Sequence, residues 1–154
     1  DLDAYFAIET GPETSAQLKS FLDSFGSKGV YVNFDPANMV MVTGDDPVQG
    51  VYQLQEYIIH THVKDGIRYH EVDPRKVYGV PGYEPMDHGK IAHLVTVGND
   101  FAEVPLGEGQ VNFDAYFAAL AEIGYQGYLT IERETGNFPE SDIRKAVRFI
   151  KKYT

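Results

Sequence analysis

The sequence contains no cysteine. Disulfide bonds and thiolate zinc sites are therefore excluded, and any bound metal must be held by oxygen and nitrogen ligands. The absence of cysteine also fits a reducing compartment, and we expect a cytoplasmic protein. The opening segment DLDAYFAIE has neither the basic start nor the apolar core of a secretory signal, so no such signal is expected.

Basic residues are few, because 13 lysines and arginines stand against 23 aspartates and glutamates and give a formal net charge of −10. This charge repels a phosphate backbone, whose binding depends on basic side chains that displace counterions, and we expect no nucleic-acid partner. Long apolar runs are missing as well, since no window approaches the roughly 18 uninterrupted apolar residues of a membrane helix. We therefore expect no membrane association.

What the sequence does contain is four short apolar stretches that each run into a side chain able to bind a metal. The stretches are AIET, VNFD, IIHTH and LTIE, and the side chains are Glu9, Asp35, His62 and Glu132. Three carboxylates that converge without a cation would repel one another and raise at least one pKa, which a metal would relieve. The pattern predicts a divalent-metal site, and the alternative is a set of buried or rim polar groups without a metal.

Strand and helix patterns alternate along the chain. Strands are predicted at 5–9, 30–34, 57–63 and 127–132, and helices at 13–25, from 46 to before 57, from 112 to 124 and from about 141. Pro47 suits a first helical turn, Asn112 is a predicted N-terminal cap, and Gly26 and Gly124 are predicted helix ends. In the last helix, one apolar face is predicted to carry Ile143, Val147 and Ile150.

The segment 64–106 is predicted to be a long loop, because glycine and proline recur along it. Its tyrosines at 69, 78 and 83 make it a candidate lid over a pocket, although a partner surface fits equally well.

Four βα units in succession predict a parallel sheet with right-handed crossovers, and therefore an α/β fold. In such sheets the reactive groups gather at the carboxyl ends of the strands, whether the sheet is open or closed into a barrel. All four candidate ligands lie at predicted strand ends, so we expect them to converge.

Five strings of the chain, AIETG, VNFDPAN, HTHVKD, PLGEGQVNF and GYQGYLTIERE, stand together in one order. In that order they resemble the C-terminal half of the xylose isomerase-like (β/α)8 barrels, the sugar phosphate isomerase and epimerase family. The resemblance implies about four βα units of a TIM-type barrel, forming one partial domain over 1–154 with a loop-rich insertion at about 66–104. It also implies a single divalent metal held by Glu9, Asp35, His62 and Glu132, with the two glutamates acting as acid and base.

The first four strands of this family have no counterpart in the chain, and four strands cannot close a barrel. The edges at 5–9 and 128–132 would then be unpaired and prone to association. We expect the chain to be a piece of a longer protein rather than one of two paired copies. The expected macromolecular partner is accordingly the missing N-terminal half-barrel or a second copy that joins through the sheet edges.

The oxygen-rich ligand set suits Mn²⁺, Mg²⁺ or Co²⁺, and Zn²⁺ also fits. We expect one such ion to polarise the carbonyl of a sugar or sugar phosphate. Glu9 or Glu132 would remove a proton to give a cis-enediolate and the other would return one, as in an isomerase or epimerase. The alternatives are an inosose dehydratase-like lyase of the same family and a catalytically silent sugar-binding or interaction half-barrel.

Five further residues are candidate substrate contacts, namely His60, Lys64, Asn38, Glu13 and Glu108. For His60 and Lys64 the alternatives are a hydrogen-bonded core histidine and a salt-bridged rim residue. For Asn38 the alternative is turn chemistry. Glu13 and Glu108 have the alternatives of a charge near a helix start and a solvated turn.

Glu134 competes with Glu132 for the metal, because both side chains point the same way on an extended strand, and Glu132 is preferred. The histidines of the insertion, His70, His88 and His93, are predicted to have ordinary surface or loop roles.

Overall fold

The computed structural model describes residues 4–78 and 100–153. Its strands are β1 (Phe6–Glu9), β2 (Val30–Phe34), β3 (Ile58–Val63), β4 (Asp65–Arg68), β5 (Phe101–Val104) and β6 (Leu129–Ile131). Its helices are α1 (Ser15–Phe25), α2 (Pro36–Asn38), α3 (Pro47–Gln53), α4 (Pro74–Tyr78), α5 (Phe113–Glu122) and α6 (Pro139–Ile150), and a π-helical turn covers Met39–Thr43.

Four strands form a parallel sheet in the order β1-β2-β3-β6. Parallel pairing requires crossovers, which α1, the helices after β2, and α5 supply. The predicted α/β class with a parallel sheet is therefore confirmed, and the four strands are consistent with part of a TIM-type barrel.

Local sequence signals account for most of the helix boundaries. Thr14 forms a capping box with Gln17 at the start of α1, and Gly26 ends that helix at a φ of 62°. Asn112 caps α5 through a bond from the Ala115 N–H, as the sequence predicted. These local hydrogen bonds satisfy backbone groups that a helix end otherwise leaves unpaired, and they place the ends where the sequence puts the capping residues.

The core lies between the sheet and its helices. Its fully buried side chains include Val32 and Phe34 of β2, Leu54 after α3, and Tyr116 of α5. The Tyr116 ring stacks on Phe34 with centroids 5.9 Å apart. This packing fixes the strand β2 from behind, immediately before the chain reaches Asp35.

The predicted long loop at 64–106 is wrong in part, because β4 and β5 pair there as an antiparallel two-stranded sheet and α4 lies between them. The Asp65 carboxylate accepts hydrogen bonds from the backbone N–H groups of Gly66, Gly107, Gly109 and Val111. The two strands are far apart in sequence and only four residues long each, and β4 contains a glycine and two charged residues. The local sequence pattern therefore does not indicate them. His88, His93 and Tyr83 lie outside the described residues.

Helix α6 differs from its prediction in two ways. It begins at Pro139 instead of about Ser141, since proline suits the first turn of a helix. Of the three apolar residues predicted on one face, only Ile150 is buried, at 8% exposed, whereas Ile143 and Val147 are 43% and 40% exposed. Ala146 is buried in their place.

Within the described part of the chain, β1 and β6 are the terminal strands of the parallel sheet. Large apolar side chains beside them are open to solvent, with Phe6 68% and Tyr128 83% exposed. None of the helices in 4–78 and 100–153 is both long and apolar enough to cross a membrane.

Candidate metal centre

Glu9, Asp35, His62 and Glu132 meet at the carboxyl ends of the four parallel strands. Glu9 ends β1, Asp35 directly follows β2, His62 lies in β3, and Glu132 directly follows β6. Each offers one ligand atom, and the four atoms lie within 4.8 Å of one another. We refer to these four residues as the carboxylate–histidine cluster.

His62 occupies the middle of the cluster. Its Nδ1 atom lies 3.2 Å from Glu132 Oε2, 3.3 Å from Asp35 Oδ2 and 3.6 Å from Glu9 Oε1. Neighbouring ligands of one octahedral cation, bound at roughly 2.1 Å, stand roughly 3 Å apart. The donor set and its spacing therefore fit a divalent cation bound by three oxygens and one nitrogen.

Asp35 is fixed by its own backbone surroundings. Its Oδ1 atom accepts hydrogen bonds from the N–H groups of Ala37 at 2.8 Å and Asn38 at 3.0 Å, which leaves Oδ2 to face His62. Thr10 joins the ends of β1 and β2, because its hydroxyl donates to the Asp35 carbonyl and accepts from the Asp35 N–H. The carboxylate is thus completely buried and held in one orientation by neutral hydrogen-bond donors.

Lys64 supplies a buried positive charge beside the cluster. Its ammonium donates to Glu132 Oε2 at 2.9 Å, contacts Glu134, and lies 3.8 Å from Asp35 Oδ2. The residue is only 3% exposed. Burial alone would lower the pKa of Lys64, but the charge of Asp35 and the contacts with Glu134 and Glu132 raise it above its ordinary value, so Lys64 stays charged at neutral pH.

Protonated groups in and beside the cluster balance the negative charge of its carboxylates. Burial lowers the pKa of His62, but hydrogen bonds to Asp35, Glu132 and Glu9 outweigh it and raise that pKa to about 11. Burial raises the pKa of Glu132, but His62 and Lys64 reverse this and lower it to about 2. Burial dominates at Asp35 and raises the pKa of that carboxyl. At neutral pH the positive charges of the His62 imidazolium and the Lys64 ammonium therefore offset the negative charge of the carboxylates. A bound cation would act on the same negative charge.

Besides Lys64, two more of the predicted substrate contacts lie next to the cluster. Asn38 donates through Nδ2 to Glu9 Oε1 at 3.0 Å and to the Thr10 carbonyl at 3.1 Å, so it orients a candidate ligand. The His60 ring is 5.9 Å from that of His62, and its Nε2 atom is 2.9 Å from the Thr130 hydroxyl.

The remaining residues considered from the sequence lie outside the cluster. Glu13 is partly buried after β1, where burial raises its pKa and Oε1 has no hydrogen-bond partner among the described residues. The Glu108 side chain is 58% exposed and stands 3.9 Å from Lys145 of α6, so the structure does not bring it to the cluster. Glu134 contacts Lys64 and is not a member of the cluster, and His70 is exposed near Asp100.

Sequence reasoning missed Asn33 at the site, and it named Tyr78 only as part of a candidate lid. Asn33, two residues before Asp35 on β2, has its Nδ2 atom 3.1 Å from His62 Nε2, and a polar residue inside a buried strand was the available signal. Tyr78 of α4 packs its ring on Gly11, where a methyl group would lie 3.0 Å from the ring. Burial raises the pKa of Tyr78, and the charge of Asp35 adds to the effect.

The family model of the xylose isomerase-like TIM barrel matches residues 4–153. The chain belongs to this family. The predicted resemblance is therefore confirmed, and the convergence of polar groups at the carboxyl ends of the strands is the arrangement that barrels of this kind use for their active sites.

An inosose dehydratase from Bacillus thuringiensis (strain Al Hakam) is 33% identical over 128 residues, which are 81% of this chain and 37% of the dehydratase. A xylose isomerase domain protein from Planctomyces limnophilus has a TM-score of 0.70 at 28% identity, over 97% of this chain and 44% of that protein. The chain thus spans less than half the length of either relative.

Two more distant structures share the fold. A D-tagatose 3-epimerase-like protein has a TM-score of 0.62 at 22% identity, over 97% of this chain and 46% of that one. A xylose isomerase-like TIM barrel protein from Mycobacterium smegmatis, in complex with magnesium, has a TM-score of 0.63 at 17% identity, over 97% of this chain and 44% of that one.

Proposed function

We propose that this chain carries the metal centre and both acid–base carboxylates of a divalent-metal-dependent sugar isomerase or epimerase. The observation that carries the proposal is the position of His62 Nδ1 within 3.2–3.6 Å of carboxylates from three separate strand ends. The proposed ligands are Glu9, Asp35, His62 and Glu132, and the proposed ion is Mn²⁺, Mg²⁺ or Co²⁺, with Zn²⁺ also compatible.

We assign proton transfer to the two glutamates, which come from different strands. Glu9 ends one terminal strand of the sheet and Glu132 follows the other, with β2 and β3 between them. A divalent cation held by Glu9, Asp35, His62 and Glu132 would polarise a substrate carbonyl and make the neighbouring C–H group more acidic. One of Glu9 and Glu132 would accept that proton, and the other would return one.

The remaining site residues would hold the substrate. Lys64 offers a fixed positive charge and His60 a ring nitrogen, and both lie beside the cluster. Asn38 and Glu13 line the segment after β1, where Glu13 has a buried oxygen free of hydrogen bonds among the described residues. Glu108 remains a prediction as a substrate contact, and so does the expected cytoplasmic location.

A dehydratase is the second candidate, favoured by the 33% identity to an inosose dehydratase. The same base would remove the same kind of proton, and a hydroxyl group would then leave as water instead of the carbon being reprotonated. Analysis of the products distinguishes the two reactions. A product of unchanged mass with altered stereochemistry or carbonyl position indicates an isomerase or epimerase, and a product lighter by one water indicates a dehydratase.

Calorimetric titration with Mn²⁺ tests the metal centre. We expect one ion per chain and an affinity loss on the order of 100-fold or more in His62→Ala, because loss of a supporting residue alone costs about 10–100-fold. The matched control is His60→Ala, which removes the neighbouring imidazole outside the cluster and should leave the affinity nearly unchanged. Equal losses in both variants would contradict the assignment of His62 as a ligand.

The same titration should depend on pH in a defined direction. With a pKa of about 11, His62 is protonated in the metal-free protein at neutral pH, and the ion must displace that proton. When one proton is displaced, the dissociation constant should fall about tenfold for each unit of increase in pH, as long as the pH stays below that pKa. The binding enthalpy should accordingly vary with the ionisation enthalpy of the buffer, and an enthalpy independent of buffer would count against proton displacement.

Self-association through the sheet edges is a further prediction, because β1 and β6 end the described sheet and carry exposed Phe6 and Tyr128. Light scattering should give a molar mass that rises with protein concentration. Phe6→Lys should reduce the rise, since lysine on an edge strand opposes pairing. Phe138→Lys is the control, because Phe138 is 73% exposed but lies outside the strands. A constant monomer mass over a wide concentration range would refute the prediction.

A further inference from the structure

The amide of Asn33 contacts the side of the His62 ring that faces away from the cluster. Asn33 lies on β2, and its Nδ2 atom is 3.1 Å from His62 Nε2. Its Oδ1 atom is buried and has no hydrogen-bond partner within the described residues. A buried oxygen without a partner is costly, so a native side chain of this kind calls for an explanation.

The proposed metal centre decides which proton His62 must carry. Its Nδ1 atom faces the three carboxylates and would supply the lone pair to the ion. A neutral imidazole that binds through Nδ1 keeps its proton on Nε2, which then acts as a hydrogen-bond donor. Nε2–H therefore requires an acceptor, whereas the amide nitrogen of Asn33 is itself a donor.

Rotation of the Asn33 amide by 180° removes the conflict between two donors at His62 Nε2 in the same space. The rotation exchanges Nδ2 with Oδ1, two atoms of nearly equal size. Oδ1 then accepts from His62 Nε2–H and gains the partner that it lacks. We infer that Asn33 is a positioning residue that holds His62 in the Nε2-protonated tautomer and so directs the Nδ1 lone pair at the metal; the inference rests on the proposed function.

The neighbouring histidine provides a contrast within the same sheet. His60 Nε2 contacts the hydroxyl of Thr130 at 2.9 Å. A hydroxyl rotates freely and either donates or accepts, so this contact imposes no tautomer on His60. The Asn33 amide, in contrast, turns either its nitrogen or its oxygen toward His62 Nε2. In the metal-bound protein, only the oxygen can accept the proton of Nε2–H.

Calorimetric titration with Mn²⁺ on three variants tests the inference. Asn33→Leu keeps a similar shape without an acceptor, and we expect its dissociation constant to rise about 10–100-fold. Asn33→Asp keeps an acceptor and should bind Mn²⁺ at least as tightly as the wild type. Thr130→Val, which removes the equivalent contact of His60, should leave the affinity unchanged and serves as the matched control.

A second measurement reads the tautomer directly and does not depend on any variant folding. In wild-type protein labelled with ¹⁵N-histidine and saturated with Mg²⁺, the two-bond ¹H–¹⁵N correlations of His62 should show the proton on Nε2. A proton on Nδ1 in the metal-loaded protein would overturn the inference.

The outcomes separate the inference from the function on which it rests. Absence of Mn²⁺ binding to the wild type would overturn the proposed metal centre and the role of Asn33 together. Wild-type binding that Asn33→Leu retains in full would overturn the role of Asn33 alone. An Asn33→Asp protein that binds as weakly as Asn33→Leu would do the same, because the amide would then act by something other than accepting a hydrogen bond.

Discussion

Replacement of Glu9 or Glu132 by glutamine should lower the exchange of a substrate C–H proton with solvent by about 10²–10⁴-fold, the usual contribution of a positioned acid or base. Glutamine preserves the shape of glutamate but cannot accept a proton at neutral pH. The measurement is deuterium incorporation from D₂O into candidate ketoses and inososes, with each variant at saturating Mn²⁺ so that weakened metal binding is not mistaken for lost proton transfer.

Glu134→Gln is the matched control for this experiment. Glu134 shares the contact with Lys64 but stands outside the carboxylate–histidine cluster, so the variant should retain most of the exchange. Exchange that survives in Glu132→Gln and disappears in Glu134→Gln would transfer the base to Glu134. Substantial exchange in both Glu9→Gln and Glu132→Gln would refute the acid–base assignment. A metal-loaded wild type without exchange on any sugar would indicate either a binding site without catalysis or a half-barrel that needs its N-terminal half for activity.

Replacement of Tyr116 by alanine should lower the free energy of unfolding by about 3–5 kcal/mol, the range for deletion of a large aromatic ring from a core. Tyr116 is 0% exposed and packs on Phe34 and Phe113. Its hydroxyl contacts the Thr61 hydroxyl, which in turn bonds the Phe34 carbonyl at 2.8 Å. The residue thus supports, from behind, both strands that carry central ligands.

Urea denaturation of the metal-free protein measures this effect. Tyr116→Phe is the control, because it keeps the ring and removes one hydroxyl, for which we expect a loss of about 0.5–1.5 kcal/mol. A loss below about 1 kcal/mol in Tyr116→Ala would mean that the core collapses around the vacated volume and that the aromatic packing is not a main support of the sheet.

Most of the parallel sheet could be predicted because its signals are local. Each strand is a short apolar run, and Pro47, Asn112 and Gly124 act on helix ends through their own backbone geometry. The β4–β5 pair escaped prediction because its strands are joined by a long segment, so their pairing is not a local feature of the sequence. The exposed part of the predicted α6 face escaped for a similar reason, since periodicity gives the direction of a side chain but not what covers it.

For the candidate site, the sequence predicted which residues come together, whereas their individual atomic contacts depend on the fold. Strand ends in parallel sheets meet at one edge, so the sequence alone was enough to place Glu9, Asp35, His62 and Glu132 together. The contact of Asn33 with His62 and that of Tyr78 with Gly11 could not be predicted, because they depend on strand register and on the path of α4. The same is true of the preference of Lys64 for Glu132 and Glu134.

The sequence by itself thus determined the α/β class, the parallel sheet and the residue types of the carboxylate–histidine cluster, since all three follow from local hydrophobic pattern and from residue type. The tertiary structure alone decided which atom of His62 faces the carboxylates and which faces Asn33. It also decided that Lys64 is buried against Glu132. The physical reason is that hydrogen-bond direction and charge compensation act over a few ångströms between residues distant in the chain, and only the packed fold fixes those distances.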